Sequence, residues 1–364
     1  MSDARVDGKP ASLVAATERA AEILSAARMP VIAGLGTDAM GARASILLAE
    51  KLRGAYDHMY SARIFAGLDV MRQAGLMFTT PNEARLRADV FLFIGKDLTK
   101  VWPAMMERLS PAEIPPLGLA HEPRKLLWLA PGRGGAKFEG LAVETLDSLD
   151  LLTALANLRA CAAGRPVNCA KSARRKLDEF AEVLKNARFG VAVWSGDSLD
   201  SLAIEMVHGL ILDLNKTTRF TGLPLGVGAN ASGVVQTSGW MTGFPVRTSF
   251  GRGFPEHDTW RFDATRMIES GEADAALWIS AYGAEAPPWK RRDVPLVALV
   301  SPQTAFAREP QVRIEVGCPG IDHDAAEFAR ETGTIVARKA SHPSLAPSVA
   351  AVAGEIAKHL GGDA

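Results

Sequence analysis

The strongest constraint on this chain is a set of six short, predominantly apolar runs: Pro30–Asp38, Ala88–Gly95, Lys125–Leu129, Phe189–Asp197, Asp274–Ser280 and Val294–Val300. Their interiors lack the polar alternation of a half-solvated strand, so each predicts a strand buried on both faces. Helical patterns lie between them: an opening helix ending near Arg28, then Gly41–Leu52, Val101–Leu109, Leu146–Cys161, Cys169–Ala187, Leu199–Leu214, Ala264–Ser270 and Ser348–Leu360. Buried strands alternating with helices predict parallel sheets in βαβ units, hence an α/β fold of Rossmann-like layers. Val312–Val316 and Thr334–Ala337 read as edge strands.

At 364 residues the chain is too long for one ordinary domain. Gly164-Arg165-Pro166 breaks the pattern between two helices and suggests a boundary there. The expected division is residues 1–165, continuous or not, and 166–364. The second part contains a long stretch, 226–256, rich in Gly, Ser, Thr and aromatics, and loops of that length are commonly functional.

Lys plus Arg number 41 and Asp plus Glu number 41, so no global field draws the chain to nucleic acid or anionic lipid. The N-terminus has no signal-peptide core and no apolar stretch reaches spanning length, which predicts a cytoplasmic protein with no membrane partner. Cys161, Cys169 and Cys318 form no C-x-x-C pair and cannot supply four thiolates. The expectation is three structural thiols, with no iron-sulfur cluster, no zinc site and no cofactor.

Several local patterns invite chemistry. Gly34-Leu35-Gly36-Thr37-Asp38-Ala39 fits the glycine turn of dinucleotide sites, with Asp57 placed where a ribose-binding acid would stand, but short glycine patterns recur by chance and a plain strand-to-helix turn is the expectation. Ser195-Gly196-Asp197 lacks the first glycine of a nucleophile elbow, and Ser195, Asp197 or Ser198 is instead expected to cap the following helix. His58, His121, His208, His257, His323, His342 and His359 show no metal-binding spacing. His257-Asp258 and Asp322-His323-Asp324 read as loop residues. Gly239 to Pro255 sets Arg247 and Arg252 among glycines and aromatics, a composition suited to planar or anionic ligands, and Arg291-Arg292 follows Trp289-Lys290.

The blocks Thr218-Arg219-Phe220, Gly239-Trp240-Met241-Thr242-Gly243-Phe244-Pro245 and Gly271 to Trp278, with Asn82 to Val90 earlier, resemble the B subunit of formylmethanofuran dehydrogenase, a family of molybdopterin oxidoreductases. The resemblance implies Rossmann-like parallel-sheet domains of the molybdopterin oxidoreductase type. Active members begin with a cysteine cluster for an iron-sulfur centre, whereas this sequence has no cysteine before Cys161, and the resemblance leads to the expectation of a fold without that N-terminal iron-sulfur domain. Their cysteine or selenocysteine ligand to molybdenum or tungsten, matched through Asp57 and Arg87-Ala88-Asp89, falls near Arg63, which cannot act as a thiolate. Arg252 resembles the arginine that follows the family's aromatic loop.

This pattern of loss is similar to the shortened B subunits of bacterial formyltransferase/hydrolase complexes. It implies a noncatalytic scaffold for the hydrolase (A), formyltransferase (D) and C subunits, in which a formyl group passes from tetrahydromethanopterin to a methanofuran-type carrier and leaves as formate. Such carriers have a glutamate-containing tail, which makes Arg247, Arg252, Arg291 and Arg292 the expected carboxylate contacts. The alternative implied by the glycine turn and Arg252 is an active pterin- or nucleotide-dependent oxidoreductase.

Overall fold

A computed structural model describes residues 4–96, 98–110, 113–117, 122–132, 138, 141–196 and 199–361. The chain divides into two units interleaved in sequence: Met1–Ser61, Gly228–Phe328 and Thr334–Ala364 form the first, Ala62–Val227 and Ala329–Gly333 the second. The division differs from the expected one at 165/166. Strands from both sides of that point share one sheet, and Gly164-Arg165-Pro166 merely separates two packed helices, Leu151–Ala162 and Lys171–Lys185.

The second unit is built on five parallel strands in the order Val143–Leu146, Lys125–Leu129, Val90–Ile94, Gly190–Ser195 and Phe220–Leu225. Alternation along Val90–Ile94 explains its unbroken apolar run. Phe91 and Phe93 pack with Trp128, Trp102 and Leu109, while Leu92 and Ile94 pack with Leu158, Phe180 and Val207. Both faces are therefore core. Asp89 pins the start of the sheet by accepting from the backbone N–H groups of Arg188 at 2.8 Å and Phe189 at 2.9 Å. Gly190 admits the Phe220 ring, with which any Cβ would collide.

The first unit holds a nine-stranded sheet ordered Glu256–His257, Thr248–Ser249, Ala55–Tyr56, Pro30–Gly36, Ala275–Ser280, Leu296–Val300, Val312–Glu315, Ala4–Val6 and Lys9–Ala11. The central five are parallel and the outer strands antiparallel. Val312–Glu315, expected at an edge, is interior because Ala4–Val6 pairs along its far side. Thr334–Arg338 pairs with Ala325–Ala329 in a separate two-stranded sheet.

Helices Leu13–Ala26, Ala39–Lys51 and Val349–His359 pack together, and the first two also contact the sheet. A different cluster gathers Val31, Ala33, Ala276, Trp278, Ala298 and Val300 and, among the described residues, draws on one helix, Ala264–Ser270. The rest of its cover comes from non-helical residues such as Phe262, Trp289 and Phe306. The connections 281–295 and 301–311 contain no helix.

The stretch 226–256 is less loop-like than its composition suggests, for it contains the helix Ala231–Thr242, closed by Gly243 at φ 78°. Gly233 and Gly239 obscure it in sequence, since glycine weakens helices by about 1 kcal/mol each. The pattern read as helix from Leu146 begins instead as the strand Val143–Leu146 and resumes as Leu151–Ala162. Among the described residues no helix is long and apolar enough to cross a membrane.

Candidate functional site

Open α/β sheets hold ligands beyond the carboxyl ends of their strands, where the strand order reverses. In the first unit that point lies between Pro30–Gly36 and Ala275–Ser280. Gly34 and Leu35, with φ of 84° and 49°, belong to the strand itself, beside a register shift against Trp278–Ser280. A Cβ at Gly34 would collide with the carbonyl of Ile279, so this glycine serves close strand packing. The next helix, Ala39–Lys51, starts capped: Asp38 accepts from the Gly41 N–H at 2.9 Å and, through its other oxygen, from the Ala326 N–H at 3.2 Å. The structure thus gives the plain turn, with its helix terminus already satisfied.

Asp57 follows Ala55–Tyr56 on the same rim and is 4% exposed. Its carboxylate accepts from His58 N at 2.8 Å, Ser61 Oγ at 3.1 Å and Ala264 N at 3.2 Å, and lies 3.5 Å from Arg247 Nε. Burial pushes its pKa up to about 7, against the pull of Arg247. Arg247 adopts φ 60° and is largely buried; its Nη2 stands 2.5 Å from Asp263 Oδ2, and its guanidinium also donates to Ser61 Oγ and the Thr259 carbonyl. This arginine ties Asp57 and Asp263 together.

His58 Nδ1 accepts from the Tyr60 N–H at 3.1 Å, so its proton sits on Nε2, which donates to the Ala229 carbonyl at 3.2 Å. Burial lowers its pKa to about 4 and keeps the ring neutral. Glu285 accepts from Tyr60 OH at 3.2 Å and Ser280 Oγ at 2.8 Å. Tyr282 OH donates to Glu327 at 2.8 Å, and Arg338 pairs with the same carboxylate. Burial and Glu327 raise the Tyr282 hydroxyl far above its ordinary value. These donors and acceptors are spent on one another, which fixes the rim as structure.

In the second unit the order reverses between Val90–Ile94 and Gly190–Ser195. There the Gly95 carbonyl accepts from Trp128 Nε1 at 2.7 Å, and Ser195 is fully buried. The helix Ser201–Leu214 is capped by Asp200, which accepts from the Ala203 N–H at 2.9 Å; this replaces the expected cap, with Asp197 and Ser198 outside the described residues. His121 also lies outside them.

The remaining acid and histidine pairs build turns. His257 stacks on Phe244 and bonds the Arg247 carbonyl, Asp258 accepts from Trp260 N and Arg261 N, Asp322 accepts from Cys318 N, and His323 bonds the Asp324 carbonyl. Burial, then Asp322 and Glu327, raise the Cys318 thiol pKa, and burial raises that of Cys161, which disfavours thiolates at both. Among the described residues no group of three or more His, Cys, Asp and Glu could hold a metal. Arg63, where the resemblance places a metal-binding thiolate, is an exposed residue of Ser61–Ala74, and a guanidinium has no lone pair to give. The position does not fit a metal–thiolate bond.

The four expected contact arginines do not converge. Arg247 belongs to the rim network. Arg252 is 70% exposed, pairs with Glu256 at 3.0 Å and lies over the Phe254 ring at 5.1 Å. Arg291 grips Asp293 with two bonds of 2.8 and 2.9 Å, and Arg292 is exposed. Arg291 and Arg292 do share one cleft, of about 370 Å³, with Lys290, Trp289, Phe306 and Arg308. Arg308 escaped sequence reasoning because it stands alone, 16 residues from Arg292, whose carbonyl accepts from it.

No family model matches the chain. The B subunit of the formyltransferase/hydrolase complex Fhc from Methylorubrum extorquens is 36% identical over 347 residues, covering 94% of this chain and 92% of that protein. The B subunits of two tungsten-containing formylmethanofuran dehydrogenases 2 are more distant: 25% identical over 92% of this chain in Methanococcus maripaludis, and 26% over 93% in Methanocaldococcus jannaschii, each covered to 80%. Among solved structures, a chain of the Methylorubrum extorquens formyltransferase/hydrolase complex FhcABCD, crystallised with methylofuran, superposes with a TM-score of 0.87 over 98% of both chains at 36% identity. Sequence and fold agree over more than nine-tenths of the chain, which belongs to the family of the B subunits of formyltransferase/hydrolase complexes.

Proposed function

We propose that this chain is a noncatalytic scaffold subunit of a formyltransferase/hydrolase complex in one-carbon oxidation. The complex moves a formyl group from tetrahydromethanopterin to a methanofuran-type carrier and releases formate, and the chemistry resides on the hydrolase (A) and formyltransferase (D) subunits, with C completing the assembly. The observation that carries this reading is the end-to-end likeness to a subunit of a complex crystallised with methylofuran. The satisfied rim of the first unit supports the lack of catalysis, because Asp57 and His58 are enclosed and Arg247 already holds two carboxylates.

The glutamate-containing tail of such a carrier meets Arg252, Arg291 and Arg292, three of the four arginines expected for it. Arg247, largely buried between Asp57 and Asp263, acts in the rim. Co-expression with the A, C and D subunits tests the reading. The chain should co-purify with them in fixed ratio, and alone it should neither transfer nor hydrolyse formyl groups. Isolation as a free monomer, or stoichiometric tungsten, molybdenum or iron in the purified chain, overturns it.

A further inference from the structure

An open sheet edge offers unpaired N–H and C=O groups to any extended chain, and folded proteins usually block it. Most edges in this chain are blocked. Lys9–Ala11 carries Pro10, Glu256–His257 is two residues long, and Val143–Leu146 exposes the charge of Glu144. Phe220–Leu225 is covered by residues 77–79, with Thr79 N–H donating to the Gly222 carbonyl at 2.9 Å and Gly222 N–H to the Met77 carbonyl at 2.7 Å. Thr334–Arg338 has none of these guards. It is five residues long, contains the β-branched Thr334, Ile335 and Val336 and no proline, and among the described residues pairs on one side alone, with Ala325–Ala329.

The far side of Ala325–Ala329 is already held. Ala326 N–H donates to Asp38 at 3.2 Å and Phe328 N–H to Asn230 Oδ1 at 2.9 Å, so the alternate residues Ala325 and Glu327 turn their N–H and C=O groups toward Thr334–Arg338. Strands of equal length set Glu327 opposite Val336, a register that the ion pairs Arg338–Glu327 and Lys339–Asp324 fit. Ile335 and Ala337 therefore direct their backbone groups outward. A two-stranded ribbon is marginal in water, whereas three or more strands can be stable.

We infer that Thr334–Arg338 pairs antiparallel with the same strand of a second copy of this chain, centred on Val336, so that two ribbons become one continuous sheet. The edge is complementary to itself. About a two-fold axis at Val336, Ile335 of each copy stands opposite Ala337 of the other and exchanges N–H···O bonds with it, which engages all the outward groups of both. Arg338 falls opposite Thr334, so no like charges meet, and Lys339, 91% exposed, falls diagonal to the exposed Glu331 of the other copy. This pairing is independent of the scaffold role, which concerns other subunits.

Sedimentation equilibrium of the full-length chain should show a dimer. Ala337→Pro removes an outward N–H while leaving the bonds to Ala325–Ala329 in place, and should make the chain monomeric. Thr334→Glu, set against Arg338 of the other copy, should tighten the dimer about threefold, and Thr334→Lys should weaken it by about as much. Val336→Cys, with its Cα about 4.5 Å from that of its symmetry mate, should give a disulfide-linked dimer with oxidised glutathione, whereas Ala337→Cys, out of register with itself, should not. Circular dichroism reports whether each variant is folded; should Ala337→Pro unfold, the Thr334 and Val336 variants decide alone. A monomeric unsubstituted chain, a dimer indifferent to a folded Ala337→Pro, shifts of the same sign in both Thr334 variants, or cross-linking as strong through Ala337→Cys as through Val336→Cys overturns the inference.

Discussion

At the carboxyl edge of the first unit's sheet, Arg247 pairs with Asp57 and Asp263 in a largely enclosed network, whereas at the amino edge Lys290, Arg292 and Arg308 carry no ion pair among the described residues. The carboxyl edge is where an open α/β sheet normally works. In this chain Asp57, Arg247 and Asp263 are spent in holding segment 229–263 and the strand ends together. Charge available to a ligand lies on the opposite edge, over a face closed by loops. An architecture shared with redox enzymes can thus keep its scaffold while the groups at its usual site become internal fasteners.

The sharpest way to break this comparison is to remove the central fastener. Arg247→Ala leaves Asp57 and Asp263 without their shared cation, and breaking a buried pair from one side costs about 3–5 kcal/mol. Urea unfolding at pH 8 should show that loss. A loss below about 1 kcal/mol would mean that the network is solvated and the rim open.

Next in size is Gly34→Ala, which tests whether the glycine turn is packing or a ligand cradle. A left-handed φ together with a Cβ against the Ile279 carbonyl should destabilise the chain by about 2–3 kcal/mol. Thermal unfolding measures it. A neutral substitution would return the turn to the role that its spacing suggests.

The sequence exposes buried strands and buried ion pairs unequally. Ala88–Gly95 could be read as a doubly buried strand because each of its faces meets core, and that fact is written in the local pattern. Arg247 could be seen as special for its setting among glycines and aromatics, but its partners Asp57 and Asp263 come from distant segments brought together by the sheet. Local pattern carries no record of such pairing. The same limit hid Arg308, an isolated arginine until the strands Leu296–Val300 and Val312–Glu315 align their amino ends. It also hid the helix Ala231–Thr242, whose glycines lower its propensity but leave room for packing, Gly233 admitting the Asn230 amide.

A smaller effect at any single pH separates the two buried titrating groups of the rim. The folded state raises Asp57 from 3.8 to about 7, so its contribution to stability is complete below about 3.8 and is lost as pH rises through 7. His58 is lowered from 6.5 to about 4, so its contribution is present above 6.5 and is lost as pH falls toward 4. The two oppose each other between pH 4 and 6.5. Relative to the unsubstituted chain, Asp57→Asn should gain stability with rising pH across that window and His58→Gln should lose it, each by at most about 1.4 kcal/mol per pH unit. Urea midpoints between pH 4.5 and 6.5 test the signs. Difference curves that slope the same way would show that the rim is not a closed, desolvated network.

The smallest effect on stability is expected outside both edges' machinery, at Arg252. Its pair with Glu256 is exposed and its guanidinium rests on Phe254, so Arg252→Ala should change the unfolding free energy by no more than about 0.5 kcal/mol. Yet this arginine is one of the three proposed to meet the carrier's carboxylates. In the assembled complex, the substitution should therefore weaken carrier binding, read as a rise in KM for the carrier with kcat unchanged, because a contact made equally in ground and transition states alters binding alone. Arg252→Lys, which keeps the charge but loses the fork, should recover part of that loss. A fall in kcat would place Arg252 nearer the chemistry than a scaffold allows, and an unchanged KM would confine the carrier contact to the cleft at the amino edge.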